Sequence, residues 1–578
     1  MTKLLPNTGS SAWFLATIAI KLAVIAQLLW ISNDGFVGRV AMMLERAQYP
    51  TLVIFFAIWG MAVAALLAAT FHPSWAVRGF WGAVLGLGTA FGLGYFLASG
   101  SQLQILDIVS LWNARHEAGR ATAQYGTAIT AGALAFAFFV AANLLPGLKG
   151  LSRWKPATLA MALLPVLPFA LVAGVVEMKG PASSRALPNQ FTPVALSALA
   201  GVKIANGAVP ERETVAWTAS HPLSKNIVML VDESIRGDYI DFTPGNPFTP
   251  HMPALKSNFI DFGPAASGGN CSNYSNVLLR YLARRQDVSG SVSRNPSVFA
   301  FAKKAGFRTV FIDAQADNIT DGNLLQNFMT MAEREDIDSF HAIRGVAHGQ
   351  EDLELARIIA EEMKNPQPTF IYANKYGAHF PYDSAYPASA AQYGPLESKV
   401  GETAQAKQAS YRNAVAWSVD HFFTEFLKNG LPPDTTVVYT SDHGQVLEPG
   451  KLTHCQVEDV DSRTALVPLY AITTDATLAH QFAQGAELSR GRASHFQIPA
   501  TLLLLMGYGD RDVLSAYSSS LFHGTTEAPA FTTGDVFGLF SDGVVWNPID
   551  LVKTYLEPNL VGPPAGGLAG TDNTMQQG

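Results

Sequence analysis

The chain has 578 residues, of which 48% are hydrophobic and 15% charged, whereas a soluble chain is about a quarter charged, which argues against an ordinary cytosolic enzyme. Its 39 Lys and Arg against 46 Asp and Glu give a net charge of −7 with no dense basic run, which excludes a nucleic-acid partner. Two cysteines, Cys271 and Cys455, allow one bridge but neither a disulfide scaffold nor a Cys-rich zinc module, so any metal must use His and carboxylate ligands.

In residues 1–178, ten Lys and Arg against five Asp and Glu give +5, leaving −12 for residues 179–578. Five apolar stretches lie in the positive part, at 13–31, 51–71, 80–98, 127–145 and 157–176. Each has the length of about 20 residues that carries a helix across a bilayer core. The pattern predicts five transmembrane helices over residues 1–178; four further spans after the first, and no clear cleavage site, argue against a signal peptide. Lys149, Arg153 and Lys155 crowd the loop between spans four and five, which makes that loop and the N-terminus cytoplasmic, against the opposing pull of Arg39, Arg46, Arg115 and Arg120. Gly82, Gly86, Gly88, Gly92 and Gly94 suit close helix packing, and Lys21 sits mid-span, facing either another helix or a water pocket.

Between spans three and four, LQILDIVSLW has apolar residues at helical spacing, as in a helix lying on a membrane surface. Residues 179–222 are polar and rich in Pro, Ser and Ala, a connector with at most one short helix, and the tail 558–578 lacks the apolar content to order itself. In between, residues 223–557 alternate short β-branched runs at 226–231, 309–312, 369–374, 436–440 and 466–472 with helical patterns such as 352–363 and 404–427. This is the pattern of an α/β domain with a mostly parallel central sheet, whose ligands gather at the carboxyl ends of the strands. Glu233, His379, Asp442 and His443 follow such strands.

Singly, each has an ordinary explanation: Glu233 as a carboxylate at a helix start, Ser272 as an N-cap, Asp442–His443 as a turn. Together, Glu233, Ser272, Asp442 and His443 supply two carboxylates, a hydroxyl and an imidazole, a donor set for a tetrahedral zinc site that would also activate the hydroxyl. The Gly-rich loop before Ser272 opens a helix whose free N–H groups suit an anionic phosphate.

In chain order VDESIRGD, GGNCSNYSN, YGAHFPY, SDHGQ and LTHCQ resemble the motifs of bacterial phosphoethanolamine transferases of the lipid A-modifying type, within the alkaline phosphatase and sulfatase superfamily. The resemblance spans residues 13 to about 510 and implies an alkaline phosphatase-like catalytic domain on the periplasmic side of the inner membrane. It implies Glu233, Ser272, Asp442 and His443 as zinc ligands, with Ser272 as nucleophile where the family usually has Thr. His379 and His454 then grip the transferred phosphate and share in proton transfer, with Tyr274, Gln315 and Gln445 as substrate contacts. Gln445 stands where the family usually has Glu.

The implied reaction moves phosphoethanolamine from phosphatidylethanolamine to an envelope glycolipid or glycan such as lipid A, through a seryl intermediate, in a monomer. Phosphoglycerol transfer and phosphodiester hydrolysis use the same chemistry. A sulfatase would need Pro and Arg after its modified Cys, where this chain has Asn273 and Ser275, and a non-catalytic lipid-binding sensor would have no need of all four ligands. Cys271 adjoins the nucleophile and Cys455 adjoins His454, so an oxidising compartment leads us to expect a bond between them.

Overall fold

Apolar runs without a polar face satisfy their backbone in a bilayer only as internally hydrogen-bonded helices. The computed structural model shows such helices; it describes residues 8–553 apart from 46, 100–101, 106, 109–110, 112–121, 123–124, 149–154, 180, 185, 207–211, 241, 316–328, 330, 395–402, 449–450, 457–458 and 540–543. Two compact units divide the chain at Ala208 and Val209.

The first unit contains α1 (Thr8–Ser32), α2 (Gly35–Glu45), α3 (Tyr49–Phe71), α4 (Trp75–Ser99), α5 (Gly126–Leu144), α6 (Lys155–Leu163), α7 (Val166–Lys179) and α8 (Thr192–Asn206). Among the described residues, five segments are long and apolar enough to cross a membrane: Trp13–Ser32, Tyr49–Phe71, Trp75–Ser99, Gly126–Leu144 and Lys155–Met178. The fifth was expected as one helix over 157–176 and is instead α6 and α7, separated by a turn at Leu164 and Pro165. Pro165 and Pro168 each lack the N–H that would continue the ladder. The stretch expected as a connector carries the 15-residue α8. Leu106, Val109, Ser110 and Trp112 of LQILDIVSLW, together with Arg46, Arg115, Arg120, Lys149, Arg153 and the tail 558–578, lie outside the described residues.

Small residues let α4 and α5 approach closely. A Cβ on Gly132 would stand 2.6 Å from the carbonyl oxygen of Ala90, and one on Gly82 would stand 2.8 Å from the Cβ of Asn143. Lys21 faces a neighbouring helix: it is fully buried, and its Nζ donates to the Thr70 carbonyl at 2.8 Å. That carbonyl belongs to the last turn of α3, where a cation complements the negative end of the helix dipole.

The second unit is built on β1 (Asn226–Asp232), β2 (Ile260–Ala266), α9 (Ser272–Arg280), β3 (Arg308–Asp313), β4 (Ser339–Ala342), α10 (Glu351–Glu362), β5 (Thr369–Asn374), α11 (Ala404–Val415), α12 (Phe422–Leu427), β6 (Thr435–Ser441) and β7 (Leu466–Thr473). Among the described residues, seven strands form one sheet in the order β2-β7-β6-β1-β5-β3-β4, and a hairpin of Ala530–Gly534 with Val544–Pro548 stands apart from it. Neighbours in the sheet are parallel except β7, which is antiparallel to β6 and to β2. Both faces are covered. Ile227, Met229, Val231, Phe370, Tyr372 and Val438 enter one core, while Val228, Leu230, Ile371, Ala373 and Val437 enter the other. Burial on both faces makes these strands continuous apolar runs rather than alternating ones, and each such side chain removed from water contributes about 1.5–3 kcal/mol.

Four features of this unit depart from expectation. Strands β2 and β4 and the hairpin are additional to the five runs read from the sequence; β2 carries a register shift between Asp261 and Pro264 that breaks its pattern. The helix expected over 404–427 is interrupted at Ala416–His421 by a π-helical segment. Within that segment the Ser418 carbonyl accepts from the buried Nζ of Lys375, an example of a π-bulge serving a tertiary contact.

Candidate active site

Register alone brings the first site residues together. Val231 pairs with Asn374 and Asp232 with Ser441, so the residues that follow, Glu233, Lys375 and Asp442, leave the sheet at one edge. The chain turns sharply there: Ser234 has φ 61°, its N–H donates to Asp442 Oδ1 at 3.1 Å, and its hydroxyl donates to Glu233 Oε1 at 2.8 Å. Gly377, φ 57°, packs so closely that a Cβ would stand 2.4 Å from Asp232 Oδ1 and 2.6 Å from the Glu233 backbone. No residue with a side chain fits there.

Ser272 opens α9, with Cys271 as its extended N-cap. Its Oγ lies 3.0 Å from His443 Nε2 and 3.3 Å from each carboxylate oxygen of Glu233. His443 Nε2 is 3.3 Å from Glu233 Oε1 and 3.7 Å from Asp442 Oδ2. All four side chains are buried. The structure thus brings Glu233, Ser272, Asp442 and His443 into one cluster.

That cluster fits a metal ion. Glu233, Asp442 and His443 each offer a ligand atom, all within 4.8 Å of one another. Asp442 Oδ1 accepts from the N–H groups of Ser234 and His443, whereas Asp442 Oδ2 is buried without a hydrogen-bond partner. An orphaned buried carboxylate oxygen is costly, and a cation satisfies it. His443 Nδ1 sits 2.6 Å from the Gly444 carbonyl; a carbonyl only accepts, so Nδ1 carries a proton in either charge state, and Nε2 is the nitrogen turned to the cluster, a lone pair for a cation once its own proton is lost. Burial and the charge of Glu233 push Asp442 up to about 8. Burial opposes charge on His443, yet Asp442 and Glu233 push it up to about 9. Glu233, despite its burial, is held well below the usual carboxylate range by the hydrogen bond and charge of His443.

The remaining expected residues surround this centre. His454 stacks on His443, ring centroids 4.3 Å apart and planes 18° from parallel, with its Nδ1 3.0 Å from Thr453 Oγ1. His379 is buried, its Nδ1 2.7 Å from the Phe380 carbonyl, and its charge lowers Glu233 further. Gln315 Nε2 donates to the Lys375 carbonyl at 2.6 Å and to Glu233 Oε2 at 3.3 Å, so its amide steadies the acid. Gln445 donates to the Tyr382 hydroxyl at 2.7 Å, and its buried Oε1 has no partner. The Tyr274 ring packs edge-on against Phe537. Cys271 and Cys455 are joined in a disulfide.

Sequence reasoning passed over Asp232 and Lys375, an ion pair with both side chains fully buried directly beneath the site. Tyr439 also donates to Asp232 Oδ2, at 2.9 Å. The visible signal was a Lys next to the end of an apolar strand, in YANKYG.

A cluster of two carboxylates, an imidazole and a hydroxyl thus stands at the carboxyl edge of a covered, mostly parallel sheet. Residues 225–508, within the second unit, match the sulfatase family model. The integral membrane lipooligosaccharide phosphoethanolamine transferase A of Neisseria meningitidis shares the fold, with a TM-score of 0.61 and 17% identity over 86% of this chain and 98% of that one. The C-terminal periplasmic domain of EcEptC from Escherichia coli aligns at 18% identity with a TM-score of 0.46, over 59% of this chain and 96% of that one. A zinc complex of the same domain aligns at 18% identity with a TM-score of 0.45, over 59% and 97%. No curated protein matches the chain by sequence.

Proposed function

We propose that this chain is a zinc-dependent inner-membrane transferase that moves phosphoethanolamine from phosphatidylethanolamine to a cell-envelope acceptor such as lipid A. The observation that carries the reading is the position of Ser272 Oγ, within 3.3 Å of both Glu233 oxygens and 3.0 Å of His443 Nε2, at the start of a helix. It is supported by the five apolar helices in the same chain, which suit a donor and an acceptor confined to a bilayer, and by the fold shared with the Neisseria transferase. In this reading the N-terminus is cytoplasmic and the catalytic domain periplasmic.

Glu233, Asp442 and His443 would hold the ion, with Ser272 as the fourth ligand. A bound zinc ion would lower the pKa of the serine hydroxyl and offset charge developing on the phosphoryl oxygens. Ser272 Oγ attacks phosphorus and the bond to diacylglycerol breaks, its oxygen leaving with the electron pair and taking a proton. The N-terminus of α9 would face the anion; His379 and His454 hold phosphoryl oxygens and carry the proton to the leaving group, then take one from the acceptor. The acceptor's oxygen displaces Ser272 and restores the free hydroxyl. Gln315 fixes Glu233, and Tyr274 and Gln445 line the head-group end.

Incubation with fluorescent phosphatidylethanolamine tests the donor: diacylglycerol appears with the wild-type protein. Its release from phosphatidylglycerol instead would reassign the head group. Mass spectrometry of envelope lipids from cells with and without the protein identifies the acceptor by an added phosphoethanolamine.

A further inference from the structure

We propose that the Cys271–Cys455 disulfide is a positioning clamp that holds His454 against the nucleophile's side of the site; the proposal rests on the role given above to His454. Regular structure fixes the other members of the centre. Glu233, Asp442 and His443 follow directly from β1 and β6, and Ser272 is the first residue of α9. His454 has no such support, because Thr453, His454, Cys455 and Gln456 belong to neither helix nor strand.

Thr453 accepts from the Val446 N–H at 2.8 Å and Gln456 from the Asp461 N–H at 2.7 Å, while the residues that flank His454 on its C-terminal side are tied to those just before Ser272. The Cys455 N–H donates to the Asn270 carbonyl at 2.7 Å, and Asn270 Nδ2 donates to the Gln456 carbonyl at 2.7 Å. The disulfide joins Cys271, the residue before the nucleophile, to Cys455, the residue after His454, across a sequence separation of 184. The two Cα atoms are 4.5 Å apart, and Cys455 is held at φ 57°, a left-handed conformation that a non-glycine residue keeps only when its surroundings impose it. With α9 as the rigid partner, the bond fixes the His454 backbone and thereby the stacking of its ring on His443. When the bond is cut, the tie between Cys455 and Gln456 and the residue before Cys271 is left to these two hydrogen bonds. The clamp also makes the site depend on an oxidising compartment.

Dithiothreitol opens the bond by giving two electrons and two protons to the cystine, producing two thiols and cyclic oxidised dithiothreitol. The test is a double-mutant cycle on the full-length protein, comparing wild type, Cys271→Ala/Cys455→Ala, His454→Ala and the triple variant, read as diacylglycerol release from fluorescent phosphatidylethanolamine and as bound zinc. Loss of the clamp lowers kcat by about a hundredfold, the scale of a misplaced catalytic group, with zinc content unchanged. His454→Ala costs a similar factor in wild type and less than about threefold more in the clamp-free protein, because the two changes act on one unit.

Fully multiplicative losses overturn the clamp. So does an unchanged rate on removing the cysteines, or an unaffected rate in His454→Ala. Wild-type protein that releases no diacylglycerol refutes the donor assignment instead, and the same cycle is then read on bis(p-nitrophenyl) phosphate. If the cysteine-free variant does not fold, wild type is reduced with dithiothreitol and reoxidised with oxidised glutathione. Reversible loss and recovery of kcat supports the clamp, and an indifferent rate rejects it.

Discussion

Ser272 Oγ stands 3.0 Å from the Nε2 of His443, a ring whose other nitrogen is occupied by the Gly444 carbonyl at 2.6 Å. The serine therefore meets the ring nitrogen turned to the cluster, and it stands beside Glu233 and the open oxygen of Asp442 in one candidate donor set. In the proposed reaction this hydroxyl is the nucleophile, and only its oxygen is required. Ser272→Ala is expected to lower transfer by more than about a thousandfold, in line with loss of a covalent nucleophile, with an unchanged thermal unfolding profile. Ser272→Thr retains measurable transfer. Diacylglycerol release by purified protein checks both, and full activity in the alanine variant would remove Ser272 from the mechanism.

Gln315 separates a ligand-orienting role from a head-group role. Its amide binds Glu233 and the Lys375 carbonyl, so Gln315→Leu should weaken zinc by about 10–100-fold, the usual cost of losing an outer-shell partner, while the KM for phosphatidylethanolamine at saturating zinc stays near wild type. Competition with a zinc-binding dye measures the first and initial-rate kinetics the second. A raised KM with unchanged zinc affinity would assign Gln315 to the head group.

Metal affinity should rise steeply with pH. In the metal-free cluster Asp442 is pushed up to about 8 by burial and Glu233, and His443 up to about 9 by its two acidic neighbours. Both pKa values are raised, so below about 8 the cluster holds protons that a cation must displace, and affinity falls as pH falls. Calorimetric titration of apo protein with zinc at pH 6.5 and 8.5, in buffers of differing ionisation enthalpy, is expected to show weaker binding and greater proton release at the lower pH. A pH-independent affinity would contradict the cluster as the binding site.

Beneath the site, Lys375 and Asp232 form an ion pair with both side chains fully buried. Lys375→Met leaves Asp232 as an uncompensated buried charge, with an expected loss of about 3–5 kcal/mol in denaturant unfolding; Asp232→Asn in the same chain recovers much of it. Burial already pushes Asp232 up to about 6, above its unfolded value, even with Lys375 beside it. The folded variant therefore takes up a proton that the unfolded chain does not as pH falls through that range, and the loss is smaller at pH 5 than at pH 8. Equal losses at both pH values would show that the charge is not what destabilises the variant.

The central strands were legible because Ile227–Val231, Phe370–Ala373 and Val437–Tyr439 are buried on both faces and so appear as unbroken apolar runs. Strand β2 was not, because Gly263 and Pro264 shift its register and mask the period. The π-helical break at Ala416–His421 has no local signal; it answers to Lys375, distant in sequence. Pro165 and Pro168 did mark the break in the fifth apolar segment, but length and hydropathy alone read it as one helix. At the site, Glu233, Asp442 and His443 could be placed from strand ends, since parallel strands deliver their following residues to one edge. The hold on His454 could not, because it depends on a loop and a covalent bond.

The most direct test is peptide mass spectrometry of the zinc-loaded protein quenched during reaction with phosphatidylethanolamine in the absence of acceptor. The account predicts one phosphoethanolamine added to the Ser272 peptide, appearing together with diacylglycerol and lost when lipid A is supplied. Diacylglycerol release with the phosphoethanolamine on another residue, or with none on the protein at any time, would contradict it.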